Sequence, residues 1–376
     1  MALDLNPGQQ AGTEIPGLPK ATNSPRRTLL WVSIAAVVVL VLGLAVPLVL
    51  TNRYYMGLTL AAAILSFHAL SVGFLAKHLG LISLGHTAFF GGAAYCVGIA
   101  MTHWGWSPLM AALFGLVAVT VAAVPMGALI MRSSGMVFLM LTLALGQALH
   151  TISIQPASRD ITGAHDGLQL QAADGATFLG IDFYALLVPQ SFWPLAWVML
   201  VVVIYLLWLV GRSRFGSLLE GIRENEERMR FSGFGTFVPR VAAFTLSGAV
   251  AGLGGVLFAL NAHYVSPELL SFLAAGDALV SAIVGGLGAL LGPVLGAFIY
   301  TFSESFLNFG GNLQLFMGAL LVIVLVFFRG GIAGIVGTLY GRSRRKRAQK
   351  TTTTTTARPA GPAEPAAPAD SKEPGA

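Results

Sequence analysis

Charge is what this sequence has least of. Only 10% of its 376 residues are Asp, Glu, Lys or Arg, against about 25% in an average soluble protein. So few charges cannot keep a globule of this length in water, which excludes a soluble fold. Cysteine is nearly absent as well. Cys96 stands alone, so no intrachain disulfide and no cysteine-based metal cluster can form; in its apolar stretch it reads as a small packing residue. No Gly-Lys pair occurs anywhere, which removes the phosphate-binding P-loop. There is no His-Glu-x-x-His motif, which removes a zincin-type intramembrane protease. Short segments of alternating polarity, the mark of a membrane barrel, are missing too. No cofactor and no metal site is expected.

What the sequence does have is apolar length. Hydrophobic residues make up 55% of the chain, in blocks able to cross a hydrocarbon core of about 30 Å, which takes about 20 helical residues. Inside lipid every backbone N–H and C=O must be satisfied, so these blocks are read as helices. Residues 1–27 form a polar arm ending in Arg26 and Arg27, followed by 28–340 as a transmembrane domain. Apolar blocks lie at 29–50, 56–76, 83–102, 107–131, 135–154, 192–210, 241–261, 276–303 and 312–328. Two polar stretches interrupt them, a loop at 155–190 and a charged segment at 211–240. From 341 to 376 the chain is basic, then rich in Thr, Pro and Ala, a composition that cannot bury a core and is expected to be disordered. The fold class is therefore all-α: a polytopic integral membrane protein with about 8–10 transmembrane helices.

The formal charge of +6 does not point to nucleic acid. Much of it lies in one run, Arg342, Arg344, Arg345, Lys346 and Arg347, beside an apolar block, where it serves as a topology determinant and headgroup contact. With both termini in the cytoplasm, of the 22 Lys and Arg residues only Arg53 and Arg159 fall outside, as the positive-inside rule requires. The 155–190 loop is then external and 211–240 cytoplasmic. Parity requires one block after Arg240 to enter and return, or to cross twice. The candidate is 276–307, where Gly285, Gly286, Gly288, Gly292 and Pro293 interrupt the apolar run. Glycine and proline are poor helix-interior residues, so a break near 288–293 is expected. Broken helices of this kind often line a transport pathway, and the alternative is a closely packed helix whose glycines admit a neighbour.

The charged segment predicts an amphipathic helix over Gly216–Met229, with Leu218, Leu219 and Ile222 near one face and a Glu224–Arg228 ion pair at helical spacing. Phe231-Ser232-Gly233 ends it, glycine being the usual stop. Such a helix either lies on the headgroups or docks a cytoplasmic partner, and its mixed charges favour docking.

The run from Gly211 to Gly235, FTLSGAVAGLGGVLFALNAHYVSPELL at 244–270 and VGGLGALLGPVLGAFI at 284–299 resemble the permeases of branched-chain amino-acid ABC importers, LivM type. LGLISLGHTAFFGGAAYCVG at 79–98, MVFLMLTLALGQALH at 136–150 and ITGAHDGL at 161–168 match further blocks in the family's order. The resemblance implies a permease subunit in a bacterial cytoplasmic (inner) membrane. It implies as partners two ATP-binding cassette subunits, a second and usually non-identical permease, and an external solute-binding protein. It also implies that Gly216–Gly233 docks into the ATPase, with Gly216, Glu220, Gly221, Arg223, Glu224 and Gly233 in the coupling segment and Gly221, Arg223 and Glu224 transmitting motion. Gly85 and His86 correspond to a glycine-rich segment near the translocation path. The sequence departs from the family's pattern at Lys77-His78 and at His165-Asp166. Close relatives of the family carry urea and short-chain amides, so the solute stays open between those and branched-chain amino acids.

Ionisable groups in apolar blocks are functional candidates, and His68, His86, Asp277 and Glu304 qualify. Each histidine reads either as a neutral ring bonded to a neighbouring helix or as a solute contact. Gln147 and His150 could share a face toward the pathway or an interhelical hydrogen bond. With Gly85, His86, Gly286, Gly288 and Pro293, Gln147 completes the translocation-path candidates. Two other classes compete. A secondary transporter or channel would want mid-span charges for ion coupling. A membrane enzyme would have to use Arg159, Asp160, His165 and Asp166 of the external loop, which nothing fixes as a site. No catalytic residue is expected.

Overall fold

A computed structural model describes residues 25–173 and 175–307; the expected 312–328 span, the polar arm before Pro25 and the 341–376 tail lie outside them. Helix α1 (Pro25–Leu44) is followed after one residue by the short α2 (Val46–Val49). Then come α3 (Arg53–Leu79), α4 (His86–Thr102), α5 (Pro108–Ile130) and α6 (Gly135–Ile154). Helix α7 (Arg159–Thr162) opens a connection that also holds β1 (Leu168–Gln169), β2 (Thr177–Phe178) and β3 (Ile181–Asp182). Helices α8 (Pro189–Arg212), α9 (Arg214–Glu224), α10 (Glu226–Phe231) and α11 (Phe237–Ala262) follow. The described chain closes with β4 (Tyr264–Val265), α12 (Phe272–Gly285) and α13 (Gly292–Leu307). Six stretches among the described residues are long and apolar enough to cross a membrane, and α4, α12 and α13 are shorter helices packed among them. The chain is an all-α polytopic membrane protein.

Most boundaries follow local chemistry. Asn52 caps α3 by accepting from the Tyr54 N–H at 2.9 Å, and Gly80, with φ +69°, ends it in the left-handed conformation. The fourth helix starts at His86 rather than at 83, because the Ser83 hydroxyl accepts from the Gly85 N–H at 3.2 Å and bonds the His86 ring at 2.8 Å, holding 83–85 out of the helix.

Helix α3 is the axis of the molecule: 83% of its most apolar stretch is buried, against 6% for α1. It packs on α4, α8, α11, α12 and α13. Phe67, Phe74, Phe89, Phe138, Phe244 and Trp193 fill the core. Among the described residues helix α1 packs mainly on the flank of α8, through Ser33–Tyr205, Trp193 to the Gly43 carbonyl and Trp197 to the Val39 carbonyl. Much of α5 and α6 faces outward with large apolar side chains such as Val117, Val121, Met136 and Met140, as lipid or a membrane partner requires.

The interrupted block does break, at 286–291 rather than 288–293, and Gly292 and Pro293 fall in the first turn of the second helix. Helices α12 and α13, about 21 and 24 Å long, form an antiparallel hairpin turning at 286–291, with Gly286 at φ +108°. Gly285, Gly292 and Gly296 let the two backbones touch: a Cβ on Gly296 would collide with the Ser281 carbonyl, and one on Gly285 with the Gly292 carbonyl. Pro293 packs its ring on Gly73 of α3. Tyr54, at the start of α3, bonds Ser305 near the end of α13. Thus α13 runs antiparallel to α3, and the hairpin turn lies near the end of the molecule where α3 finishes.

That end is the basic one. Lys77, Arg132, Arg212, Arg214, Arg223, Arg228, Arg230 and Arg240 are gathered where α3, α5 and α8 finish and α11 begins. The opposite end carries Arg53, Arg159 and the connection from α6 to α8. This connection is built, not loose. Strand β1 pairs antiparallel with β4, Leu168 opposite Val265 and Gln169 opposite Tyr264, and the Tyr264 hydroxyl donates to the Asp166 carbonyl at 2.9 Å.

Candidate functional site

The charged segment after α8 folds as an elbow, which corrects the single helix expected over 216–229. Asn225 leaves the helical region with φ −160° and ψ 99°, and its side chain accepts from the Arg228 N–H at 2.8 Å, capping a new helix. The Asn-Glu-Glu sequence, a capping residue before an acidic first turn, is the signal that could have placed this break. As a result Glu224 and Arg228 lie in different helices and the expected ion pair does not form. Glu226 is the hub instead. Its carboxylate receives Arg230 at 2.6 Å, the Thr236 hydroxyl at 3.0 Å and Arg240 through both oxygens at 3.1 and 3.0 Å. Arg240 is only 5% exposed and also donates to the Ser133 carbonyl between α5 and α6 at 2.8 Å. Burial pushes the Glu226 carboxyl up, but the Thr236 hydrogen bond and the charges of Arg240 and Arg230 outweigh it, so the carboxyl ionises below its ordinary value.

The expected coupling residues divide by role. Gly216 lets α9 leave α8 at once, since a Cβ there would meet the Val210 and Gly211 carbonyls. Gly221 admits the Met229 side chain, so α10 folds back over α9. Gly233, at φ +84°, ends α10 in a conformation that suits glycine. Leu219 and Ile222 are buried, while Leu218 is half-buried. Arg223 donates to the Lys77 carbonyl at the end of α3. Glu220 lies 3.8 Å from the His78 ring. Glu224 is exposed and, among the described residues, forms no ion pair. At the tip of the elbow Phe231 is 90% exposed.

The expected path residues are scattered. Gly85 precedes α4 where a Cβ would strike the Thr142 carbonyl of α6. His86 is fully buried, bonded to Ser83 through Nδ1 and to Ser247 of α11 through Nε2, and Ser247 donates onward to the Ser71 carbonyl of α3. It is a fastener joining α3, α4 and α11. Gln147 is exposed on α6. His150 instead lines a cavity of about 340 Å³ at the end opposite the basic one, with His165, Tyr264, Ser266 and Glu268. Gly286 and Pro293 are buried in the hairpin, and Gly288 is exposed at its turn. Two of the four ionisable candidates do meet. His68 and Asp277 line one cavity of about 250 Å³ with Asn261, Leu60, Ile64, Leu65, Phe90 and Phe258. The His68 ring stacks on Phe90 at 5.0 Å, Asn261 donates to the Leu186 carbonyl at 2.9 Å, and Asp277 accepts from Tyr300. Asn261 was missed because a single amide in a long apolar run carries no period.

Arg159 and Asp166 form an exposed ion pair at 3.3 Å. The described residues contain no group of three or more His, Cys, Asp or Glu side chains able to hold a metal ion.

Residues 54–328 match the family model described as branched-chain amino acid transport system / permease component. The chain is similar to the high-affinity branched-chain amino acid transport system permease protein LivM of Escherichia coli (strain K12), 25% identical over 270 residues, covering 66% of this chain and 62% of that one. LivM of Salmonella typhimurium is 26% identical over the same length and with the same coverage, so the chain spans less than two thirds of these relatives. The autoinducer 2 import system permease protein LsrC of Yersinia pestis (strain Pestoides F) is 29% identical over 154 residues, 39% of this chain and 44% of its own. No solved structure matches. The family match covers well over half of the sequence, and the chain is therefore a multi-pass inner-membrane protein belonging to the branched-chain amino acid transport permease family.

Proposed function

We propose that this chain is one permease subunit of an importer for branched-chain amino acids, worked by separate ATP-hydrolysing subunits that dock on the α9–α10 elbow. The observation that carries the reading is the elbow's attachment. Arg223 joins it to α3, while Glu226 and Arg240 join it to α11 and to the turn between α5 and α6. A load applied at the exposed Phe231 therefore reaches α3 and α11, which line the cavity shared by His68 and Asp277. The positive-inside rule puts this end in the cytoplasm, where ATP is available, and puts the β1–β4 end outside, facing a solute-binding protein. The outward apolar faces of α5 and α6 suit a second permease.

The cavity shared by His68, Asn261 and Asp277 supports the choice of solute. Leu60, Ile64, Leu65 and Phe258 suit an aliphatic side chain, and Asp277 offers a carboxylate to an ammonium group. The partial similarity to the autoinducer 2 permease makes a more polar solute the competing reading. The test is uptake of labelled leucine into proteoliposomes holding the complete transporter, with isoleucine, valine, autoinducer 2, urea and acetamide as competitors. Uptake should require ATP, and only the aliphatic amino acids should compete. Asp277→Asn should raise the half-saturating concentration about tenfold, the worth of a charge-assisted hydrogen bond, while ATP hydrolysis continues. Uptake without ATP, or competition by urea and not by valine, would overturn the reading.

A further inference from the structure

Two adjoining cavities lie at the basic end, apart from the cavity shared by His68 and Asp277. The first, about 290 Å³, has a mixed lining in which Lys77 and His78 of α3, Arg212 of α8 and Glu220 of α9 supply the polar groups, beside Leu207 and Trp208 of α8 and Leu290 of the hairpin turn. The second, about 450 Å³, is an apolar crevice between α1, α8 and the same turn, lined by Val32, Val39, Ile204, Tyr205 and Leu291 among others. Trp208 and Leu290 line both, so the chamber with the charged groups and the apolar slot beside α1 and α8 adjoin across these two side chains.

The first cavity contains unused hydrogen-bonding capacity. The His78 side chain is 3% exposed, yet its Nδ1 has no hydrogen-bond partner among the described residues. Lys77 forms no ion pair among the described residues. The Arg212 guanidinium lies 5.2 Å above the Trp208 ring, a cation–π placement that leaves its N–H edge free to donate. Lys77 and Arg212 line the chamber with Glu220, and Arg223 stands beside it on the Lys77 carbonyl, so cations outnumber anions there. That balance suits an anionic headgroup such as a phosphodiester. A ligand that fills both spaces must carry such a headgroup on an acyl chain.

We propose that the paired cavities bind one anionic phospholipid, its phosphodiester between Lys77 and Arg212 and an acyl chain in the slot between α1, α8 and the hairpin turn. The lipid would bridge the turn at Leu290 to α8 and α9, which face each other across the first cavity. The site concerns the chain's seat in the membrane and does not depend on which solute is carried.

The test uses the intact transporter in detergent, titrated with dioleoyl phosphatidylglycerol or dioleoyl phosphatidylcholine and read by native mass spectrometry. One phosphatidylglycerol per chain should be retained at concentrations where phosphatidylcholine is not. K77A/R212A should weaken retention about 30-fold, each cation near the bilayer surface being worth about fivefold, and K77R/R212K should restore it. Leu290→Trp leaves the charges in place but narrows the slot. It should also weaken retention, and it decides the matter if K77A/R212A fails to assemble. Equal retention of the two lipids would overturn the proposal, as would phosphatidylglycerol binding unaffected by Leu290→Trp. Displacement by inorganic phosphate would reveal a free-anion site and overturn it as well.

Discussion

Replacing Glu226 with alanine tests the elbow most directly. The substitution removes the carboxylate shared by Arg230, Thr236 and Arg240 and leaves the Arg240 charge buried. Stripping one partner from a fully buried pair costs about 3–5 kcal/mol. Here the Glu226 side chain is 26% exposed and Arg240 keeps the Ser133 carbonyl, which lowers the expectation to about 2 kcal/mol, or about 30-fold in the open population. Helix α10 is six residues long, too short to persist once released, so the loss should appear as local opening. Hydrogen exchange on the intact transporter should show protection over residues 226–234 falling about 30-fold by the same estimate, with α3 unchanged. Solute moved per ATP hydrolysed should fall with it. Arg240→Met removes the stranded charge, so adding Glu226→Ala to it should cost less than about 1 kcal/mol more. Exchange and coupling both unchanged in Glu226→Ala would refute the argument.

The same carboxyl gives a pH signature. Its folded pKa lies below the ordinary 4.5, so its contribution is complete above that value and is lost as pH falls through the lower folded one. Protection of α10 should be level from neutrality down to about pH 5 and then fall in acid, while Glu226→Gln should lack this acid limb. Asn225→Ala should remove the cap on α10 and cost about 1 kcal/mol, read by the same exchange assay with helix α9 unaffected. Gly296→Val should force α12 and α13 apart at the Ser281 carbonyl, costing about 3 kcal/mol or preventing assembly, checked by thermal unfolding in detergent.

Part of this structure is visible in the sequence because lipid simplifies the problem. The blocks expected at 107–131 and 135–154 fold as Pro108–Ile130 and Gly135–Ile154, since apolar length is what the bilayer demands and Ser-Pro or Ser-Gly marks the start. The break in the 276–307 block was equally legible, from glycines and a proline where a straight helix would carry neither. The elbow was legible only in part. Apolar periodicity marked Leu219 and Ile222 correctly, but ran through Asn225, where the capping residue before Glu226 and Glu227 was the competing signal. Glu226 and Arg240 are 14 residues apart, beyond any helical spacing, so no period could join them.

The sequence by itself determined that this is a membrane protein, where its helices run, which end gathers the cations and which block must break. These follow from solvation, which acts on each segment separately. Tertiary structure alone decided that His86 is spent on Ser83 and Ser247, that His68 meets Asp277 across one cavity, and that the hairpin turn reaches Lys77, Arg212 and Glu220. Those outcomes depend on which helices become neighbours, and that is settled by glycine-allowed contacts such as Gly73 on Pro293, between residues far apart in the chain.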